Sequence, residues 1–254
     1  MSVIKSFFIS FSIYSKIPMP QFEWKDEDMK YTLVFFPWVG IVIGVLLYAW
    51  MQACLYFGIG AISMYLFGTA IPLIVTGGFH VDGYMDTMDA FHSYQPREKK
   101  LEILKDSHIG AFAVIELVLY YMIYISAYAQ IQTKEAYIVF CLGFYLSRIL
   151  SGIGVVSYKS ARSDGMLSEF AGTAQKRVVK ICLYIQLVLC FVLMTSASII
   201  AGGMAIVAAL LCFVYYGLKS KKMLGGITGD TAGYFVTVCE CAIAIAAAVG
   251  SMIA

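Results

Sequence analysis

Seven stretches of this chain are apolar over lengths close to the 17–25 residues that a helix needs to cross a bilayer. They lie at approximately 33–55, 59–77, 110–130, 136–157, 180–199, 202–218 and 233–253. In hydrocarbon each backbone N–H and C=O must find a partner within the protein, which leaves helices and closed barrels as spanning structures. Uninterrupted apolar runs of this length select the helix. The second and sixth stretches are short, and are expected to be tilted or partly re-entrant. Composition agrees: the chain is 61% hydrophobic and 13% charged, with a mean hydropathy of +0.81, against about 45–50% and 25% for a soluble domain. The expectation is an all-α polytopic membrane bundle of about seven helices, forming one domain over residues 1–254 with the lipid bilayer as a partner. No internal repeat or low-complexity segment divides it.

Basic residues give that bundle a direction. Lys5, Lys16, Lys25 and Lys30 precede the first span, and Arg97, Lys99, Lys100 and Lys105 follow the second. Lys159, Arg162, Lys176, Arg177 and Lys180 lie around the fourth-to-fifth connection, and Lys219, Lys221 and Lys222 around the sixth-to-seventh. With seven spans, these sixteen of the 18 Lys and Arg fall on one side; Lys134 falls on the other and Arg148 lies within span four. By the positive-inside rule that side is cytoplasmic, with the N-terminus inside. A span more or fewer would scatter the basic loops. His80, Asp82, Asp86, Asp89, His92, Glu98, Glu102, Asp106, His108, Asp164, Glu169 and Asp230 collect on the same side, so any chemistry faces the cytoplasm. A net charge of +2 is too small to argue for nucleic acid.

Met1 to Ile17 lacks the long apolar run and small-residue cleavage site of a signal peptide. Its Phe7, Phe8, Phe11 and Tyr14 suit an interfacial amphipathic helix or a short re-entrant start. All seven Cys fall in apolar stretches, with no CxxC pair and no His at zinc spacing, so they read as small packing residues.

The chemistry concentrates in TGGFHVDGYMDTMDAFHSY, from Thr76 to Tyr94. Asp82, Asp86 and Asp89 are spaced four and three apart and share one helical face. Three like charges on one face repel one another, more than helix capping requires. Oxygen-only ligation suits Mg²⁺, which normally arrives with a phosphorylated substrate. Gly77 and Gly78 end the second span with a turn that permits close backbone approach. In REKKLEILKDSHIG, Arg97 to Gly110, acids and lysines alternate on a surface helix; Lys105 and Asp106 sit at the mouth of the third span, where they would meet a phosphate and a second metal. GGITGDTAGY, Gly225 to Tyr234, offers a glycine-rich anion-binding turn around Asp230, but it is not a P-loop, since GxxxxGK[ST] is absent. YKSARSDG, Tyr158 to Gly165, carries Arg162 as a diphosphate clamp. Within the membrane, Arg148 is expected to pair with Glu116 or Glu240 at the floor of the cavity.

These four strings, with FFPWVGIVIG from Phe35 to Gly44, resemble the cobalamin synthase family over essentially the whole chain. The acidic segment is the most specific mark. The resemblance implies adenosylcobinamide-GDP ribazoletransferase activity: α-ribazole, or its 5′-phosphate, is joined to adenosylcobinamide-GDP with release of GMP and a requirement for Mg²⁺. It implies catalytic roles for His80, Asp82, Lys105 and Arg162, and metal ligation by Asp82, Asp86, Asp89 and Asp230. Substrate contacts fall to Gly77, Gly78, Asp106, Arg148, Thr228 and Gly229. Phe79, Val81 and Tyr84 stand where that family commonly has Leu, Tyr234 where it has Ala, and His92 where Gly is commoner. None of these departures removes a ligand. Oligomerisation and docking of other nucleotide-loop assembly enzymes are compatible with the chain. Two rival classes stand beside this reading. A CDP-alcohol phosphotransferase would carry DGxxAR, and here Gly83 is followed by Tyr84-Met85-Asp86. A cation or corrinoid transporter would place its ligands near the bilayer midplane.

Overall fold

The computed structural model describes residues 2–162 and 175–253. Asp164, Gly165 and Glu169 lie outside them. The described residues form α1 (Ser2–Tyr14), α2 (Asp26–Met29), α3 (Thr32–Phe57), α4 (Ala61–Thr76), α5 (Phe79–His92), α6 (Arg97–Ile103), α7 (Ala111–Ala129), α8 (Lys134–Ser157), α9 (Lys176–Ala197), α10 (Ile199–Leu224) and α11 (Gly229–Ile253). Six of these, α3 and α7 to α11, are long and apolar enough to cross a membrane alone. The pair α4 and α5 qualifies as a seventh span when taken together, bent by 94° at its break. α4 is the more apolar of the two helices. α5 is turned away, carries the acidic segment, and is read as outside the membrane-spanning helices. The chain is an integral membrane helical bundle.

The expected short sixth span is a full one. α10 runs 26 residues, starting where the Ser198 hydroxyl accepts from the Ala201 amide at 3.1 Å. It continues through Lys219, Lys221 and Lys222, because lysines in a last turn complement the helix dipole and leave helical geometry undisturbed. Apolar runs therefore mark where lipid would begin, and not where helices end.

α8 is the central helix, buried along almost its whole length. It packs against α3, α9, α10 and α11. Tyr124 and Tyr128 of α7 and Tyr137, Phe140 and Phe144 of α8 form an aromatic column in its core. Arg148 of α8 donates to Glu240 of α11 at 2.6 Å, with the two side chains 1% and 9% exposed. Of the two partners expected, it is Glu240. Glu116 instead lies 3.6 Å from His92. α1 lies along α3, with Phe11 and Tyr14 buried and Phe7 against Phe35 and Trp38.

Candidate functional site

The site begins at an elbow. Gly77 and Gly78 have φ of 66° and 80°, left-handed conformations that glycine adopts without a Cβ penalty. Two in succession swing α5 off the axis of α4 and lay it against α11. The approach is close enough to exclude side chains. A Cβ on Gly83 would stand 2.8 Å from the carbonyl oxygen of Asp230, and one on Gly233 2.9 Å from that of His80. This contact brings the acidic face of α5 to the first turn of α11.

That first turn is built by its own threonines. The Thr228 amide donates to the Thr231 hydroxyl at 2.8 Å, and the Thr231 amide to the Thr228 hydroxyl at 3.1 Å. Thr228 also donates to Asp230 at 3.3 Å. A parallel bridge pairs Ser160 with Ile227, carrying Arg162 to the same place. The Arg162 guanidinium donates to the Leu101 carbonyl, while its Nε is buried with no partner among the described residues.

A cavity of about 210 Å³ opens between these elements. His80, Asp82, Arg162, Thr228, Gly229 and Asp230 line it, together with Tyr14, Phe36, Phe79, Ser151 and Ser160. Six of the expected residues thus meet in one place. His80 is 6% exposed, stacks on Phe36 at 5.7 Å, and has no partner for either ring nitrogen among the described residues. Burial, reinforced by the Arg148 charge, holds its pKa well below the ordinary imidazole value, so the ring is neutral at neutral pH. Asp86 stands beside this wall, its carboxyl pushed up to about 7 by burial and by the charges of Asp82, Asp230 and Asp89.

Asp89 is committed elsewhere. Its two oxygens accept from the Gly110 amide at 2.6 Å and the Ala113 amide at 2.9 Å, so it caps the N-terminus of α7. Asp82, Asp86 and Asp89 share a helical face, but the third is spent on a helix end. Among the described residues no group of three or more His, Cys, Asp or Glu side chains is placed to hold a metal ion by itself. Lys105 and Asp106 are exposed and absent from the cavity wall, because α6 ends at Ile103 and leaves them in the following loop. There Asp106 holds His108 at 2.6 Å, a hydrogen bond that lowers the Asp106 pKa. Arg148, expected on the substrate, faces inward. The crevice it shares with His80 and Glu240 has about 20 Å³, room for roughly one water.

Residues that sequence reasoning passed over include Tyr14, Ser151 and Ser160 on the cavity wall, and Lys16. Two of the family departures turn out to be partners: Tyr84 stacks on Tyr234 with centroids 5.8 Å apart and planes 7° from parallel. The aromatic pair closes the α5–α11 contact beyond the glycines.

The family model for cobalamin-5-phosphate synthase matches residues 6–248. A relative from Lachnoclostridium phytofermentans, an adenosylcobinamide-GDP ribazoletransferase, is 41% identical over 240 residues, covering 94% of this chain and 92% of its own. Proteins of the same name from Clostridium perfringens and Clostridium botulinum strain Alaska E43 are 30% and 31% identical, covering 93% and 94% of this chain and 94% and 95% of their own. No solved structure matches. The family model covers nearly the whole length and the relatives align across it, so the chain belongs to the cobalamin-5-phosphate synthase family.

Proposed function

We propose that this protein joins adenosylcobinamide-GDP to α-ribazole or its 5′-phosphate, releasing GMP, in a Mg²⁺-dependent reaction at the cytoplasmic face of the membrane. The observation that carries the reading is the convergence of His80, Asp82, Arg162 and Asp230 on one cavity. Four charged or titratable groups from three separate segments meet there, at the end of the bundle where the basic loops collect.

The residues fit a magnesium ion in one particular way. Mg²⁺ is normally held by one or two carboxylates plus substrate phosphates and water, not by an all-protein cage. Asp82 and Asp230, with Asp86 beside them, would hold the ion, and a dication would relieve the crowding that raises Asp86. Asp89, spent on α7, has a structural part. The chemistry such an ion would supply is charge neutralisation on the diphosphate and on the departing GMP.

The protein's own groups do the rest. Arg162 faces the same diphosphate and stabilises charge as the phosphoanhydride bond breaks. The acceptor ribose hydroxyl forms the new P–O bond to the phosphorus bearing the cobinamide aminopropanol. Its proton goes to His80, which is neutral and has both nitrogens free of protein partners; an aspartate not engaged by metal is the second candidate. Among the described residues no Ser or Cys of the cavity wall is hydrogen-bonded to a base: Ser160 donates to the Arg162 carbonyl and the His80 nitrogens have no partner, which favours a single in-line displacement. Turnover of adenosylcobinamide-GDP with α-ribazole, and none of a CDP-alcohol, is expected from protein in nanodiscs. CDP-alcohol turnover would replace this reading with its nearest rival.

Two outcomes follow for these groups. Asp86 is protonated below about pH 7, so protons compete with the cation there. In the metal-free protein the raised carboxyl costs stability as pH climbs from near 4 through 7, and metal removes that cost. The rise in melting temperature on adding Mg²⁺ is therefore expected to be larger at pH 8 than at pH 6, with apparent affinity weakening by up to roughly tenfold per pH unit below 7. An equal rise at both pH values would remove Asp86 from the site. His80→Ala is expected to lower kcat by about 10²–10⁴. A loss under about threefold across pH 6–9 would exclude His80 as the base.

A further inference from the structure

A second space adjoins the first. It is an open cleft of about 590 Å³, and among its lining residues are Ser15, Lys16, Gly77, Phe79 and Asp82. Phe79 and Asp82 also line the inner cavity. Those two side chains are the partition between the spaces, so a ligand in one is adjacent to a ligand in the other.

The cleft has its own cation. The Lys16 stem lies over Gly77 at the elbow, in space that any Cβ at position 77 would take. Its backbone amide donates to the Val75 carbonyl at 2.7 Å, fixing the end of α1 to the end of α4. The Lys16 side chain is exposed, and no ion pair or hydrogen bond to it is found among the described residues. Arg162 and Asp230 line the inner cavity and not this cleft. Asp82 therefore lines both spaces, the cleft that holds Lys16 and the cavity that holds Arg162.

We infer that Lys16 is a specificity residue that recognises the phosphomonoester of a phosphorylated acceptor. This inference rests on the reaction proposed above. In that reaction two anionic groups reach the protein: the donor diphosphate and, when present, the acceptor 5′-phosphate. The diphosphate belongs with Arg162 and the carboxylates of the inner cavity. The second anion then falls to the cation across the partition. Asp82 sits between the two, beside the acceptor hydroxyl that must reach the phosphorus. A free nucleoside acceptor has nothing to offer Lys16, so the residue sets the preference between the two acceptors.

The test uses the full-length protein in nanodiscs with Mg²⁺ and saturating adenosylcobinamide-GDP. The quantity measured is kcat/KM for α-ribazole 5′-phosphate divided by that for α-ribazole. Lys16→Met keeps the stem over Gly77 and removes the charge. It is expected to lower this ratio by about 10- to 100-fold, the loss of one charge-assisted hydrogen bond. Lys16→Arg is expected to hold it within about threefold. An unchanged ratio in Lys16→Met, or an equal fall for both acceptors, overturns the assignment. A raised KM for the donor with the ratio preserved overturns it too, because Lys16 would then face the diphosphate. If the unaltered protein turns over neither acceptor, the proposed reaction itself fails and the assignment falls with it.

Discussion

Asp82→Asn is expected to lower turnover by about 10³-fold or more while leaving the bundle intact. The substitution removes one negative charge and almost no volume. Asp82 is exposed on the cavity wall, with no ion pair to any described residue, so its loss strands nothing. Its value under the proposed reaction lies in the negative charge it adds beside Asp86 and Asp230, which would help hold a Mg²⁺ ion. A metal clamp on a developing phosphate charge is worth several kcal/mol, which is three or more decades in rate. The check is kcat for the variant beside its melting curve in the same detergent. Near-normal turnover would remove Asp82 from the metal site. Lost turnover together with a collapsed melting curve would make it a folding residue.

Glu240→Ala is expected to have the largest effect on stability, about 3–5 kcal/mol. The Arg148 guanidinium is almost fully buried, and Glu240 is its one carboxylate partner among the described residues. Phe144 O and Ser147 Oγ accept from the same nitrogen at 2.9 and 3.3 Å. Those neutral acceptors do not balance a full charge left inside the bundle. The pair itself is not worth that sum. A paired Arg148→Met, Glu240→Leu replacement is expected to recover most of the loss, because a buried ion pair and a well-packed apolar pair are often near equal. Unfolding in mixed dodecyl sulfate and maltoside micelles measures both. A single variant as stable as the parent would mean that water or lipid headgroups reach Arg148 and that the crevice is open.

Much of this protein was legible as text. Apolar length gave the spans, glycine at 77 and 78 gave the turn, and the motifs gave the family. What the sequence did not carry was the third dimension of each motif. Asp82, Asp86 and Asp89 look equivalent at spacings of four and three, yet Asp89 meets the amides of Gly110 and Ala113, more than twenty residues away. No local pattern reports that meeting. Lys105 and Asp106 sit in a motif string, but α6 stops short of them and they remain in a loop outside the cavity. Lys16 reads in the sequence as one more positive-inside charge; the turn between α4 and α5 puts its stem over Gly77, on the wall of the cleft that adjoins the cavity. Tyr84 and Tyr234 read as two separate departures from the family and are one stacked pair. Gly83 and Gly233 carried the strongest missed signal. Glycines amid helical, motif-rich sequence mark places where backbones touch, and these two set the distance between α5 and α11.

The most direct measurement is product formation by purified protein in nanodiscs, given adenosylcobinamide-GDP, α-ribazole and Mg²⁺, with an EDTA control. Mass spectrometry reads the corrinoid product and GMP together. The account predicts equal amounts of the two, and neither with EDTA. No product from protein shown to be folded and membrane-inserted would contradict the reaction, and product undiminished by EDTA would contradict the role given to the carboxylates of α5 and α11.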